Sequence, residues 1–121
     1  MTLLLVALGA AVGAPLRYLT DRAVQARHDS VFPWGTFVVN MVGCLVLGFL
    51  TAASTHASSA VLALLGTGWC GALTTYSTFG YETVQLARSG ARAYALLNAL
   101  LSVACGLLAA LVGTGVADLV F

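Results

Sequence analysis

The sequence predicts an all-α integral membrane protein whose chain crosses the bilayer four times, and three observations carry that prediction. Of 121 residues, 60% are hydrophobic and 7% charged, whereas a water-soluble domain of this size needs far more charge to cover its surface. Four apolar stretches, residues 2–19, 34–53, 58–87 and 93–121, are separated by short polar breaks, and each can supply a membrane helix of about 20 residues. The arginines cluster in alternate connections: Arg17, Arg22 and Arg27 flank the first, Arg88 and Arg92 the third. The positive-inside rule then places those two connections in the cytoplasm and both termini outside. Residues 1–121 read as one four-helix unit with no room for a soluble domain.

Helix one carries Gly9 and Gly13 in GxxxG spacing beside Ala10, Ala11 and Ala14, small residues that let helix backbones approach closely. It has no basic segment ahead of its apolar run, so it reads as a retained helix and not as a signal peptide. The connection over residues 20–33 holds Asp21, Arg22, Arg27 and Asp29 and closes on Phe32-Pro33-Trp34. Its aromatics suit the membrane interface, and its proline marks a turn. Helix two steps by four residues through Thr36, Asn40, Cys44, Gly48 and Ala52, which puts one asparagine at mid-depth on a small-residue stripe. Helix three starts ordinarily through Leu65 and then meets Gly66, Gly68, Gly71, Thr74 and Thr75. These are weak helix formers, so the helix is expected to break near its middle, with unwinding from Gly71 to Thr74. Helix four repeats a polar ladder through Tyr94, Asn98, Ser102 and Gly106.

The chemistry available excludes several classes. Cys44, Cys70 and Cys105 have neither metal nor redox spacing and read as packing residues. His28 and His56 fall in connections, Ser77 has no base within helical reach, and Glu82 is a lone acid in a spanning segment. An enzyme is therefore not expected, and no basic patch suggests nucleic acid. A permeation path is. Asn40 offers amide N–H donors, and Ser77, Thr78, Tyr94 and Ser102 offer rotatable hydroxyls. Tyr76 and Phe79 present ring edges of partial positive charge. Such weak, multiple sites suit a small anion in single file better than a buried lysine, which would hold it too tightly. A hydrogen bond from Asn40 that merely glues two helices is the competing reading. Thr74, Thr78 and Glu82 share one face at four-residue steps, and carbonyls freed by the break could bind a small cation.

Three segments carry a resemblance: Gly9…Gly13-Ala14-Pro15-Leu16-Arg17-Tyr18, Gly35-Thr36-Phe37-Val38-Val39-Asn40-Met41-Val42-Gly43, and Gly71-Ala72-Leu73-Thr74-Thr75-Tyr76-Ser77-Thr78-Phe79. Together, in this order, they resemble the fluoride channel family known as Fluc or CrcB, and the four-helix layout covers the whole chain. The resemblance, and not the spacing, supplies fluoride as the ion. It implies an antiparallel dimer with two fluoride pores, embedded in the lipid of the cell membrane, that passively exports fluoride and lowers its toxicity. It also implies a structural sodium ion at the dimer centre, held by the main-chain carbonyls of Gly71 and Thr74.

On the same resemblance Asn40, Tyr76 and Phe79 line the pore, and Ser77, Thr78 and Glu82 belong to a polar track along helix three. Asn98 and Ser102 match a looser pattern on helix four. The family usually has phenylalanine where this chain has Tyr76. Arg17 matches an arginine near the aqueous vestibule; it could equally snorkel at the interface and pair with Asp21 at i+4. The arginine asymmetry leaves two partners open, a second copy of the chain or an oppositely oriented paralogue. Competing functions are a small proton-coupled exporter and a non-transporting subunit of a membrane complex. The absence of an acid at mid-membrane in helices one and two, and of any ATP motif, argues against a pump and against the exporter.

Overall fold

The structure is a computed structural model and describes residues 2–27 and 32–121; His28 and Asp29 lie outside the described residues. It is helical throughout, with no strand among the described residues. Helix α1 spans Thr2–Arg27, α2 Trp34–Ala52 and α6 Arg92–Val120. These three are long and apolar enough to cross a membrane. The fourth pass is composite: a short α3 (Ser59–Val61), a π-helical stretch (Leu62–Cys70), α4 (Gly71–Leu73), a break, and α5 (Ser77–Arg88). No piece of it is long enough alone, and together the pieces make the crossing.

Two expectations are corrected. Helix α1 does not end near Leu19 but continues to Arg27, because Ala23, Gln25, Ala26 and the arginines favour helix once nothing apolar is needed. The third pass is also not an ordinary α-helix through Leu65. From Leu62 it widens to π geometry, and the Gly71 N–H donates to the Gly66 and Gly68 carbonyls. Long π stretches are rare and tend to mark functional places. Pro15 sits inside α1, where it removes one helical hydrogen bond, a defect that membrane helices tolerate when neighbours re-satisfy the freed group.

Small residues set the packing. Helix α1 lies along the π-helical stretch and α2 along α6. A Cβ on Gly9 would run into the Leu64 carbonyl oxygen and come within 2.8 Å of the Trp69 amide nitrogen, and one on Gly68 within 2.6 Å of the Val6 carbonyl oxygen. The GxxxG spacing of α1 is thus used within the protomer. On the other pair, a Cβ on Gly48 would meet the Ala110 backbone and one on Gly113 the Leu45 carbonyl oxygen. The outer faces of α1 and α6 leave Leu3, Leu8, Leu100, Leu107 and Leu111 exposed, an apolar surface that lipid covers and water would not.

The ends of the bundle agree with alternate connections lying on opposite sides. Phe121 at the C-terminus stacks on His56 of the second connection, with centroids 4.7 Å apart. At the other end Gly35 N–H donates to Gln25 Oε1 at 3.0 Å, and Phe32, Trp34 and Phe37 form an aromatic cluster. The third connection turns at Gly90, whose φ of 90° suits glycine. The Ala91 N–H then returns to the Leu86 carbonyl at 2.9 Å and closes α5.

Candidate functional site at the helix break

The break occupies Thr74 to Tyr76, and one side chain from another helix organises it. Thr74 leaves the helix with an extended backbone (φ −80°, ψ 158°). In a continuing helix the Thr75 N–H would reach the Gly71 carbonyl; here it donates to Asn40 Oδ1 at 2.8 Å. The Asn40 amide returns the bond, Nδ2 donating to the Thr75 carbonyl at 3.1 Å. Only an oxygen can accept from the Thr75 amide, so the orientation of the Asn40 amide is determined and one N–H is left over. The Thr75 hydroxyl accepts from Thr78 N–H at 3.1 Å and so caps α5 from one residue ahead of Tyr76, whose own side chain makes no capping bond.

Gly71 itself is helical (φ −63°, ψ −34°), so unwinding begins at Thr74 and not at Gly71. The carbonyl expectation survives that shift. With Thr75 N–H on Asn40 and Thr78 N–H on Thr75, the Gly71 and Thr74 carbonyls both lose their helical donors. The Thr74 side chain is held back, its Oγ1 donating to the Cys70 carbonyl at 2.8 Å. Its methyl packs where a Cβ on Gly43 would be.

A groove of about 830 Å³ opens on this face. It brings together Asn40, Gly71, Thr74, Tyr76, Phe79 and Ser102, drawn from α2, α6 and both sides of the break. Tyr76 is 85% exposed in the protomer, and its ring lies 6.1 Å from that of Phe79, tilted by 50°. The other expected residues are placed differently. Ser77 is exposed at the first turn of α5, 3.5 Å from the Thr75 hydroxyl, and Thr78 is half-buried one residue on. Glu82 is away from the groove, lining a smaller pocket of about 260 Å³ with Gln25, Pro33, Gln85, Leu86 and Ser89. Its Oε1 is buried without a hydrogen-bond partner among the described residues.

Asn98 is 1% exposed and does not reach the groove. It joins a hydrogen-bonded chain instead. Thr83 Oγ1 donates to the Phe79 carbonyl at 2.8 Å, leaving only lone pairs, so Asn98 Nδ2 donates to Thr83 at 2.8 Å. Asn98 Oδ1 in turn accepts from Ser102 at 3.2 Å. The Ser102 proton therefore points to Asn98, and the hydroxyl must rotate before it can donate into the groove. Arg17 is half-buried on α1 and forms no ion pair among the described residues. Asp21 turns toward Gly35, so the i+4 pairing does not form.

Sequence reasoning missed Thr75 and Thr83. Thr75 lay inside the resembling segment, but its bonds to Asn40 span 35 residues. For Thr83 the one available signal was its position four residues after Phe79.

The family described as "CrcB-like protein, Camphor Resistance (CrcB)" matches residues 4–114. The chain belongs to the CrcB-like protein family. It is 64% identical over 115 residues to fluoride-specific ion channel FluC 1 of Streptomyces avermitilis, covering 93% of each chain. It is 54% identical over 128 residues to the protein of that name from Frankia casuarinae, covering 100% of this chain and 99% of the relative. It is 51% identical over 113 residues to the one from Thermobifida fusca, with 93% and 92% covered. A CrcB-like chain with these apolar passes is a multi-pass membrane protein.

Proposed function

We propose that this chain is a fluoride-selective channel of the cell membrane, exporting fluoride passively and lowering its toxicity. The observation that carries the reading is the groove at the helix break, where Asn40, Tyr76, Phe79 and Ser102 converge in a chain whose relatives are named fluoride-specific ion channels. Fluoride is small and strongly hydrated, so a pore that admits it must replace water with well-placed donors. The spare N–H of Asn40, a rotated Ser102 hydroxyl, and the ring edges of Tyr76 and Phe79 are such groups. The N-terminal turn of α5 points its backbone dipole toward the break and favours an anion there. Ser77, Thr78, Glu82 and Asn98 are further polar residues of the track, on α5 and α6 outside the groove itself, and Arg17 draws anions to the vestibule.

The protomer groove is open, and an antiparallel dimer with two pores is the assembly that closes it. The arginine bias favours one direction of insertion, which leaves a second copy or an oppositely oriented paralogue as the partner. A tag on the C-terminus, tested for accessibility from each side, decides: a single orientation sinks the homodimer.

The residues fit a structural sodium ion. Of the four carbonyls at the C-terminal end of the first half-helix, those of Ala72 and Leu73 belong to residues packed against Gly13 of α1. Gly71 and Thr74 face the groove, and their carbonyls, released by the break, are hard oxygen ligands at the negative end of a helix. A bound sodium would supply a fixed positive charge at the dimer centre.

The test is efflux from proteoliposomes read with a fluoride electrode. Fast fluoride release with negligible chloride release is expected; no release from well-folded protein would favour a non-transporting subunit.

A further inference from the structure

We infer that Asn40 is a positioning residue for the cation site as well as part of the anion wall, because its clamp on Thr75 selects which carbonyls at the break stay free. The inference rests on the sodium reading above and goes one step further, to what sets that site. Asn40 engages both main-chain polar groups of Thr75, at 2.8 and 3.1 Å. Taking the N–H denies the Gly71 carbonyl its helical donor. Taking the C=O keeps a third groove carbonyl out of the cation's reach, since Thr75 also lines the groove. Thr75, held in place, then caps Thr78 through its hydroxyl, and that denies the Thr74 carbonyl its donor. Among the residues that line the groove, the carbonyls left free are therefore those of Gly71 and Thr74, and the whole sequence of exchanges starts from one α2 side chain.

The alternative for the segment is visible in the same bonds. Without Asn40, the Thr75 N–H has the Gly71 carbonyl to return to, and the half-helix extends by that one bond. The cation would then face a carbonyl already engaged by an N–H. Asn40 is thus where cation binding and anion conduction meet: one amide edge holds the backbone, and one N–H is left over on a residue that lines the groove.

The experiment measures two quantities on purified full-length protein and its variants. One is the thermal unfolding midpoint as sodium chloride replaces N-methyl-glucamine chloride at constant ionic strength; the other is fluoride efflux from proteoliposomes. Asn40→Ala is expected to raise the sodium concentration for half-maximal stabilisation by roughly tenfold, the scale of one to two neutral hydrogen bonds. Thr75→Val, which removes the cap on Thr78 but leaves the Asn40 clamp, is expected to shift it in the same direction by less. Ser102→Ala is expected to lower flux while leaving the sodium midpoint in place.

If Asn40→Ala fails to fold, Asn40→Gln, with the same amide displaced by one methylene, is read in its stead and is expected to shift likewise. A sodium midpoint within about twofold of wild type in the Asn40 variant that folds, with flux lost, overturns the positioning role and leaves Asn40 acting on the anion alone. Wild type that conducts fluoride with no sodium-dependent stabilisation overturns the cation reading and this inference together, while the channel stands. Wild type that neither conducts nor responds to sodium overturns the channel reading itself.

Discussion

Gly43 and Thr74 offer a direct test of how the helix break is held. A Cβ at Gly43 would overlap the Thr74 Cγ2 methyl, while the Thr74 Cβ lies at 3.5 Å and the Cys70 carbonyl oxygen at 4.0 Å. Gly43→Ala should gain about 1 kcal/mol of helix propensity within α2. Against this, overpacking a close contact costs about 1–3 kcal/mol. Rotating the methyl away also breaks the bond from Thr74 Oγ1 to Cys70, a further ~1 kcal/mol. The expected net effect is destabilisation by about 1–3 kcal/mol, with reduced fluoride flux because the Thr74 backbone moves with its side chain.

Thr74→Ser removes the methyl and keeps the hydroxyl. In that background the nearest atom to the new Cβ is the residue-74 Cβ at an ordinary 3.5 Å, so Gly43→Ala should become neutral or stabilising. The double-mutant cycle, read by unfolding in detergent and by efflux, should show a favourable coupling of about 1–3 kcal/mol. Equal destabilisation by Gly43→Ala in both backgrounds would refute the proposed contact.

Three further outcomes follow from the packing. Gly9→Val places side-chain atoms against the Leu64 and Trp69 backbones, which cannot rotate away; it should cost about 3 kcal/mol or more and show as loss of folded protein on size-exclusion chromatography. Thr83→Val leaves the buried Asn98 amide without its acceptor, so a loss of about 1–3 kcal/mol in unfolding experiments should accompany slower efflux as Ser102 is released from its set orientation. Gly90→Ala, at φ 90° and far from the groove, should lower stability by about 1 kcal/mol with the fluoride efflux rate unchanged.

The four passes and the small-residue contacts were legible because bilayer physics writes them locally, as apolar length and as glycine spacing. Gly9 and Gly13 read as close-approach residues, and each meets another backbone or its side chains. The existence of a break was legible too, from the run of glycines and threonines. Its position was not. Gly71 has weak helix propensity yet stays helical, and the chain opens at Thr74 because a side chain 35 residues earlier takes the Thr75 N–H. No local rule contains that bond.

The ladder on α6 is also set by a bond to another helix. Equal spacing placed Asn98 and Ser102 on one face, but partners in α5 turn Asn98 inward and draw the Ser102 proton with it. The π-helical stretch was also hidden, because propensity speaks to whether a helix forms and says nothing of its width.

The groove at the break is proposed as the route for fluoride. The most direct measurement is electrode-detected fluoride efflux from proteoliposomes, comparing wild type with Phe79→Ala, which strips a groove wall without touching the Asn40–Thr75 bonds. Wild type should release fluoride rapidly with negligible chloride release, and the variant should show a marked loss of flux with its fold retained. Wild-type vesicles that hold their fluoride, or a Phe79→Ala channel as fast as wild type, would contradict that route.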